Sequence, residues 1–324
     1  MTIRSRLCIV LVAMSFHVAA ESPRSSFGTG NGGAVTKLLD LDATAINEMS
    51  GMVKSRRYKD VYWVHNDSGD MARLFALTGN GRIIVPEYLR RYYGNEPGPD
   101  SKPWPGLVIE LAANIDWEDI AIDDDAIYIA DMGNNGNSRR DLGIYVIEEP
   151  NPRETARTRS LKFIPVRYPD QVRFPGRQWH YDCEALFVFE GKLYFLTKNR
   201  QPGQMARFEK GTALYRLDSE RTDEVNLLTR VQEDARPFVV TGADTSPDGQ
   251  WLAVLCYTEL WLFPRPAKGD RWLSGKARRL PLDVNFTGQA EAITWRDAHS
   301  LLIGNEEGEW FTVDVNDIPD EATK

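Results

Sequence analysis

The stretch Asp182-Cys-Glu-Ala-Leu, followed ten residues later by Lys192-Leu-Tyr-Phe-Leu-Thr, contains the pattern that decides the fold of this chain. An acidic or polar cluster opens a short apolar run, and a second apolar run follows, often with an aromatic residue. The pattern occurs five times, opened by Glu48-Met-Ser-Gly-Met, Asp116-Trp-Glu-Asp-Ile, Asp182-Cys-Glu-Ala-Leu, Gly242-Ala-Asp-Thr-Ser and Gln289-Ala-Glu-Ala-Ile. Repeated units that cannot bury their own faces stack against one another, so the repeat predicts the architecture before any single motif does.

Each repeat continues with apolar runs bounded by turn residues, as short strands are. Second strands are predicted to begin at Asp60, Ala126, Lys192, Trp251 and Ser300, and third strands at Arg73, Gly143, Ala213, Glu259 and Gly308. Candidate fourth strands lie at 107–111, 161–166, 225–229 and 278–282. The last repeat has no fourth strand of its own, while residues 34–41 precede the first repeat without a partner there. We therefore expect this segment to pair with the final blade, which removes two exposed sheet edges.

These strands predict an all-β fold, a β-propeller of five four-stranded blades whose ring is closed by an N-terminal strand. The repeats exceed the roughly 40 to 45 residues of a compact blade, and we assign the excess to loops, chiefly 86–104 and 150–159. A sixth blade would have to lie within such an insertion. Helical periodicity is brief and is confined to the neighbourhood of 88–93.

The first twenty residues have the pattern of a cleavable signal peptide. Arg4 and Arg6 precede an apolar run, and Val18-Ala-Ala ends in the small residues that signal peptidase requires. We expect cleavage after Ala20, a periplasmic or secreted protein, a flexible lead-in at 21–33, one propeller domain at 34–316 and a tail at 317–324. Loss of the two arginines changes the formal charge from −8 to −10. This acidic balance argues against nucleic acid as a partner, the apolar run is too short for a membrane span, and we expect a monomer.

Two cysteines, Cys183 and Cys256, follow the predicted cleavage site, and both lie in apolar strand-like runs. In an oxidising compartment they could form a disulfide between neighbouring repeats. Two buried free thiols are the alternative, because a domain of this size buries enough core to need no covalent link.

The first strand of each blade lines the channel of a propeller, so the repeated acids are expected to converge around one axis. Carboxylates held close together repel, which raises their pKa values or recruits a cation. Ca²⁺ fits best, because it takes oxygen ligands in irregular geometry. The predicted metal ligands are Asp116, Glu118, Asp182, Glu184, Asp244 and Glu291. In the alternative, each acid accepts hydrogen bonds from the backbone of the adjacent blade and is structural only.

The candidate catalytic residues are Glu118, Glu184, Lys198 and His65. Either glutamate is a metal ligand or a base, whereas Lys198 follows a second strand and its ammonium group can meet a carboxylate or an anionic substrate. His65 is either a base or a hydrogen-bonded loop histidine. Further candidates for substrate binding follow the second strands, at Asp67, Asp131, Asn134 and Glu306. The sequence contains no serine nucleophile elbow, zinc-protease motif or phosphate-binding P-loop.

The openings Glu118-Asp-Ile, Glu184-Ala-Leu and Glu291-Ala-Ile, with the strands that carry Ile127-Tyr and Leu193-Tyr, resemble the inner strands of the β-propeller phytases and of related phytase-esterase-like exported propellers. Blades of that group open with Glu-Gly-Leu, and here Asp119, Ala185 and Ala292 replace the glycine. The resemblance spans most of residues 46–315 and implies a propeller with a calcium-lined channel. The Asp-Ala-Asp-Asp-Pro opening of the phytases is absent.

Two functions of different class follow. One is a metal-dependent hydrolase of phosphate or other anionic esters, in which Ca²⁺ polarises the scissile group and Lys198 or loop arginines bind the small anionic substrate. The other is a non-catalytic propeller whose acids are structural and whose inserted loops bind a protein or a glycan. Other enzymes that use a propeller, such as lactonases, form a third group.

Overall fold

The computed structural model describes residues 33–93 and 102–321, and these residues are almost entirely strands and turns. The predicted signal peptide, most of the predicted lead-in and residues 322–324 lie outside the described residues. In chain order the first strands are β1 (Val35–Asp40), β2 (Met49–Lys54), β3 (Tyr62–Asn66), β4 (Arg73–Leu77), β5 (Leu107–Glu110), β6 (Trp117–Ile122), β7 (Ala126–Asp131), β8 (Gly143–Glu148), β9 (Arg157–Arg159), β10 (Lys162–Arg167) and β11 (Trp179–Phe189).

The remaining strands follow without a break in the description until residue 321. They are β12 (Lys192–Gln201), β13 (Gln204–Phe208), β14 (Lys210–Arg216), β15 (Asn226–Leu227), β16 (Thr229–Phe238), β17 (Val240–Thr245), β18 (Trp251–Cys256), β19 (Glu259–Pro264), β20 (Arg278–Pro281), β21 (Ala290–Trp295), β22 (Ser300–Asn305) and β23 (Glu309–Asp314). The short helices are α1 (Arg90–Tyr93), α2 (Val284–Thr287) and the 3₁₀ turns Glu87–Leu89, Trp272–Ser274 and Val315–Asp317.

The strands form five blades arranged as a propeller, as predicted. Blade 1 is β2-β3-β4-β5, blade 2 is β6-β7-β8-β10, blade 3 is β11-β12-β14-β16, blade 4 is β17-β18-β19-β20, and blade 5 is β21-β22-β23-β1. The first strands contact one another around the ring, since β2 contacts both β6 and β21, β11 contacts β6, and β17 contacts β11 and β21. The beginnings of five first strands are therefore brought together.

The N-terminal strand closes the ring, which confirms the sequence prediction. β1 pairs antiparallel with β23, with Val35 opposite Val313 and Asp40 opposite Glu309. The backbone N–H of Leu41 extends this contact by donating to the Gly308 carbonyl at 2.8 Å. The final blade thus takes its outer strand from the other end of the described chain, and no outer edge of β23 is left open.

The outer strand of blade 3 differs from the prediction. The expected fourth strand at 225–229 contributes only β15, which pairs in parallel with β10 of blade 2. The actual fourth strand is β16, ten residues long, which pairs with β14. Its sequence, Thr-Arg-Val-Gln-Glu-Asp-Ala-Arg-Pro-Phe, is mostly polar because one side of an outer strand faces water. A search for apolar runs therefore misses it. In the same way β9, within the predicted 150–159 insertion, adds a parallel strand to blade 1.

The buried apolar residues of the described chain form five clusters, one between each pair of neighbouring blades. Trp117 lies in the cluster between blades 1 and 2, Phe195 between blades 2 and 3, and Trp272 between blades 3 and 4. Trp295 lies between blades 4 and 5, and Trp310 between blades 5 and 1. Each blade buries both faces only because it has two neighbours, so the ring is a single packing unit.

Cys183 and Cys256 are buried free thiols, so the disulfide alternative is wrong. Cys183 packs in the cluster between blades 2 and 3, whereas Cys256 packs in the cluster between blades 3 and 4. The two side chains thus face different blade interfaces. Among the described residues, no helix is long and apolar enough to cross a membrane.

Ring closure can be tested by truncation. A chain that begins at Asp42 lacks β1 and leaves the outer edge of β23 unpaired, whereas a chain that begins at Gly33 retains it. We expect the shorter chain to melt roughly 10 °C below the longer one, because it loses a strand ladder and the burial of Val35. Differential scanning calorimetry of both chains measures this, and equal melting temperatures would contradict closure by β1.

Candidate functional site

A β-bulge interrupts the first strand of every blade at an equivalent position. In each case one residue of the first strand is skipped in the pairing with the second strand. The skipped residues are Ser50, Glu118, Glu184, Thr241 and Glu291, and all of them are buried. A bulge redirects the side chain of the extra residue. The bulges, and not the acidic clusters as such, define the true repeat of the site.

Two of the five bulged residues tie neighbouring blades together. The Ser50 hydroxyl donates to the Glu118 carbonyl oxygen at 2.7 Å, and the Thr241 hydroxyl donates to the Ala290 carbonyl oxygen at 2.7 Å. Each hydrogen bond thus joins the bulge of one blade to the backbone at the bulge of the next blade, or to the residue directly before it. The three bulged glutamates lie on blades 2, 3 and 5, and their side chains form the chemically distinctive part of the ring.

Carboxylates from three blades converge beside these bulges. Oxygen atoms of Asp67, Asp116 and Glu118 all lie within 4.8 Å of one another, and so do those of Glu118, Asp182 and Glu184. Asp67 directly follows β3 of blade 1, Asp116 precedes β6 of blade 2, and the last two lie on β11 of blade 3. Glu118 belongs to both groups, so the five carboxylates form one continuous cluster. We call it the channel cluster.

Blade 3 neutralises its own two carboxylates. Lys198 Nζ lies 2.7 Å from Glu184 Oε2, and Arg200 Nε lies 2.7 Å from Asp182 Oδ2. Arg200 Nη2 also approaches Glu184 Oε1 at 3.5 Å. Burial lowers the pKa of Lys198, but the charges of Glu184, Tyr257 and Glu291 together outweigh burial, so the pKa of the ammonium is raised well above its usual value. Lys198 therefore acts as a fixed cation and not as a base.

Arg200 was missed in the sequence. Lys198 and Arg200 are two residues apart on β12, and residues at that spacing project from the same face of a strand. The apolar part of β12 ends before them, so the pattern placed these residues in a loop. The alternation of charged and neutral residues in Lys198-Asn-Arg is the sequence feature that would have indicated a continuing strand.

The other three acids of the channel cluster have no such partner: among the described residues, no Lys or Arg forms an ion pair with Asp67, Asp116 or Glu118. Burial, then the charges of Asp67 and Asp182, raise the pKa of Asp116 to about 7. Burial, then the charge of Glu184, raises the pKa of Glu118 well above its usual value. The pKa of Asp67 is also raised, mainly by burial. This group is destabilised in its ionised form unless a cation binds.

Gly133, in the loop between β7 and β8, holds the peptide backbone against the two acids of blade 2. A Cβ atom at this position would lie 2.0 Å from Glu118 Oε1 and 2.5 Å from Asp116 Oδ2. The close approach of this backbone to the carboxylates therefore requires glycine. The neighbouring residue Asn134 fixes the loop, since its backbone N–H donates to Asp182 Oδ1 at 2.6 Å and its side chain donates to the Tyr181 carbonyl at 3.0 Å.

Asp131 supports the same loop. It forms an ion pair with Arg139 at 3.0 Å and accepts the backbone N–H of Asp116 at 3.1 Å. Asp131 and Asn134, predicted to bind substrate, thus have their polar atoms engaged in positioning the channel cluster. Arg139 also donates to the Gly133 carbonyl at 2.9 Å.

Blade 5 adds a second acidic edge. The Tyr257 hydroxyl donates to Glu291, and burial is the main cause of the raised pKa of Glu291, which Lys198 and Tyr257 partly offset. The half-buried Glu306 accepts a hydrogen bond from Gln289. Burial, then the charge of Glu291, raises the pKa of Glu306 to about 7. The charges of both glutamates therefore act within the surroundings of the cluster, although neither belongs to the two groups of converging carboxylates.

Asp244, a predicted metal ligand, lies elsewhere. It is three residues beyond the bulge at Thr241, which is the true counterpart of Glu118. Its carboxylate accepts hydrogen bonds from the Thr294 hydroxyl at 2.8 Å and from the Trp295 backbone N–H at 2.9 Å. The carboxylate thus holds blade 4 against blade 5, which is the structural role left open in the sequence.

His65, a predicted catalytic residue, is sealed inside the ring. The side chain is fully buried, its Nδ1 lies 2.9 Å from the Asn66 carbonyl oxygen, and its ring meets Trp117 edge to face at 5.7 Å. Burial lowers the pKa of His65 to about 4, so the imidazole is neutral near pH 7. A base must reach the proton that it removes, and a ring enclosed in this way has no access to substrate.

No protein-family model matches this chain, and no curated protein matches it in sequence. Solved structures that resemble it include a sugar dehydrogenase and a gluconolactonase. The PQQ-bound aldose sugar dehydrogenase of Streptomyces coelicolor is 11% identical, with 87% of this chain and 98% of that chain covered and a TM-score of 0.47. The gluconolactonase of Xanthomonas campestris is 13% identical, with 91% and 95% covered and a TM-score of 0.41.

The pKa of Asp116 leads to a stability prediction for metal-free protein. In an unfolded chain an aspartate has a pKa of about 3.9. Between that value and about 7 the folded protein keeps a proton that the unfolded chain releases, so stability is lost as the pH rises through this window. Asp116→Asn removes this pH-dependent loss of stability, because asparagine does not ionise. Allowing for partial exposure, we expect Asn to stabilise the protein by about 2 kcal/mol more at pH 8 than at pH 5.

Urea unfolding in the presence of a chelator measures this difference. The matched control is Asp125→Asn, which changes an exposed aspartate in the turn between β6 and β7. The control should have the same small effect at both pH values. A stabilisation by Asp116→Asn that does not grow with pH would contradict the assignment of a raised pKa to this carboxyl.

Proposed function

We propose that this protein is a metal-dependent hydrolase of small anionic esters, with its active site at the channel cluster. The observation that carries the proposal is the contrast within that cluster. Blade 3 neutralises its carboxylates with Lys198 and Arg200, whereas Asp67, Asp116 and Glu118 converge without an ion-paired Lys or Arg in the part of the chain that the structure describes. A bound divalent cation would stabilise these three carboxylates, and the neighbouring cations suit an anionic substrate.

The donor set fits Ca²⁺. Asp67, Asp116 and Glu118 offer only carboxylate oxygens, which hard cations prefer, and no Cys or His belongs to the group. Gly133 is consistent with the fit, because only glycine lets the backbone approach two of the three carboxylates this closely. When bound, such a cation supplies Lewis acidity toward the ester and lowers the pKa of a coordinated water.

The cations of blade 3 supply anion recognition. Glu184 and Asp182 hold Lys198 and Arg200 in place through buried ion pairs, so little side-chain entropy remains to be lost when a substrate binds. Arg200 Nη1 also donates to the Met205 carbonyl at 2.7 Å. Fixed positive charges in a partly dry site stabilise negative charge that develops on the ester in the transition state.

The alternative is a non-catalytic propeller in which the acids are structural. It accounts for Asp119 and Asp244 but not for the channel cluster. Asp119 accepts backbone N–H groups of Ile120 and Leu186, both at 2.8 Å, and Asp244 accepts from blade 5. Those acids have the hydrogen bonds that a structural role requires. Asp67, Asp116 and Glu118 instead converge on one another, and among the described residues no Lys or Arg forms an ion pair with them. Export to the periplasm or medium remains part of the proposal and is supported by residues 1–20 alone.

Metal binding is tested by thermal melting of protein lacking residues 1–20, with increasing Ca²⁺. We expect Ca²⁺ to raise the melting temperature of the wild type and to bind Asp116→Asn and Glu118→Gln at least about tenfold more weakly, because each loses one ligand charge. Asp125→Asn, outside the cluster, should keep the wild-type shift. An undiminished shift in both cluster variants would disprove this metal site.

Catalysis is tested on a panel of phosphate and carboxylate esters with Ca²⁺ present. We expect turnover by the wild type and a loss of about a hundredfold in kcat/KM for Lys198→Met, which removes a charge aimed at the substrate. Circular dichroism and melting of the variant check that it folds. Failure to turn over any ester while Ca²⁺ is bound would favour the non-catalytic binding module.

A further inference from the structure

Blade 3 extends beyond the other blades at the end where the channel cluster lies. β11 and β12 are eleven and ten residues long, whereas the first two strands of the other blades have five or six. The extension turns back as β13, and Arg200 pairs with Phe208 across this hairpin. The hairpin is anchored by the Arg200 bond to the Met205 carbonyl and by His180 Nε2, which lies 2.8 Å from Glu209.

The extension brings two aromatic rings from different blades around the cations. The Arg200 guanidinium lies over the Phe208 ring at 4.9 Å. Lys198 Nζ lies 5.5 Å from the centre of the Tyr257 ring and 5.9 Å from that of Phe208. The two rings meet edge to face at 6.4 Å, with 88° between their planes. Phe208 comes from the blade 3 hairpin, and Tyr257 directly follows β18 of blade 4.

Both rings keep part of their surface exposed, whereas the cations beneath them are buried. Phe208 and Tyr257 are half-buried, but the side chain of Lys198 is only 5% exposed. An anion in contact with the ammonium therefore lies beside both rings. The atoms bonded directly to that anionic group then contact aromatic surface and not water. A flat apolar group gains there from stacking and from the removal of apolar surface from water, and a small or strongly hydrated group does not.

We propose that Phe208 and Tyr257 determine substrate specificity by selecting anions that are bonded directly to a planar apolar group, such as aryl phosphates. The proposal rests on the proposed function for the location of the site and for the reaction. The two rings form the wall of an anion-binding site, and Lys198 with Arg200 forms its base. The substrate class of the hydrolase is then an anionic aryl or heteroaryl ester, and esters of small or highly hydroxylated alcohols are poor substrates.

Binding of two phosphonates tests this selection without any turnover. Phenylphosphonate and methylphosphonate carry the same anionic group and differ in the attached group, and neither can be hydrolysed as an ester. Isothermal titration calorimetry with Ca²⁺ present should show the phenyl compound binding about tenfold more tightly to the wild type. Phe208→Ala should reduce this preference to about twofold and leave the affinity for methylphosphonate within about twofold. Tyr257→Phe is the matched control, since it keeps the ring, and it should retain the preference.

Three results would overturn the inference. Equal affinity of the wild type for both compounds would show that the rings do not contact the ligand. An equal loss of both affinities in Phe208→Ala would show that the ring only supports Arg200 and Lys198. Absence of binding by either compound would remove the anion site altogether, and with it this part of the proposed function. Selective binding without turnover of any ester would leave the inference standing and would count against hydrolysis alone.

Discussion

The site depends on the bulge that interrupts the first strand of every blade. A regular strand sends alternate side chains to opposite faces, and both faces of a propeller blade are buried against neighbours. One extra residue escapes this alternation, and its side chain is turned out of the blade interface. At Glu118, Glu184 and Glu291 the extra residue is an acid, and at Ser50 and Thr241 a hydroxyl bonds to the neighbouring backbone. The ring thereby obtains a polar centre without sacrificing its five apolar interfaces.

Some carboxylates of this polar centre have a cationic partner and others have none, and this difference indicates where a ligand could bind. Bringing carboxylates together in a buried space is unfavourable, and each blade meets the cost differently. Blade 3 extends β12 far enough to supply Lys198 and Arg200, so its acids are paired. Blade 5 supplies a hydroxyl donor from Tyr257. Blade 2 supplies no Lys or Arg that forms an ion pair with Asp116 or Glu118 among the described residues, and the Gly133 backbone packs closely against both carboxylates. The uncompensated charge is therefore concentrated on Asp67, Asp116 and Glu118, where blades 1 and 2 meet.

Much of the architecture was readable from the sequence because apolar runs are what build blade interfaces. The blade number, the closing strand and the equivalence of Glu118, Glu184 and Glu291 followed from the repeat, but the bulges at these residues did not. Elements made of polar residues did not follow. β16 and the end of β12 pair through their backbones while their side chains face water or charge, so no apolar run marks them. Arg200 and the true fourth strand of blade 3 were missed for this one reason.

Asp244 and Glu118 show why a repeated acid does not by itself identify a site. Hydrophobic alternation does not reveal a bulge, so in blade 4 the nearest carboxylate was aligned where the structure has Thr241. The two acids differ in what their carboxylate oxygens contact. Those of Asp244 accept from Thr294 and Trp295, and such bonds complete the hydrogen bonding of a buried carboxylate. Glu118 faces other carboxylates instead, so it is the residue whose charge requires a partner that the described chain does not provide.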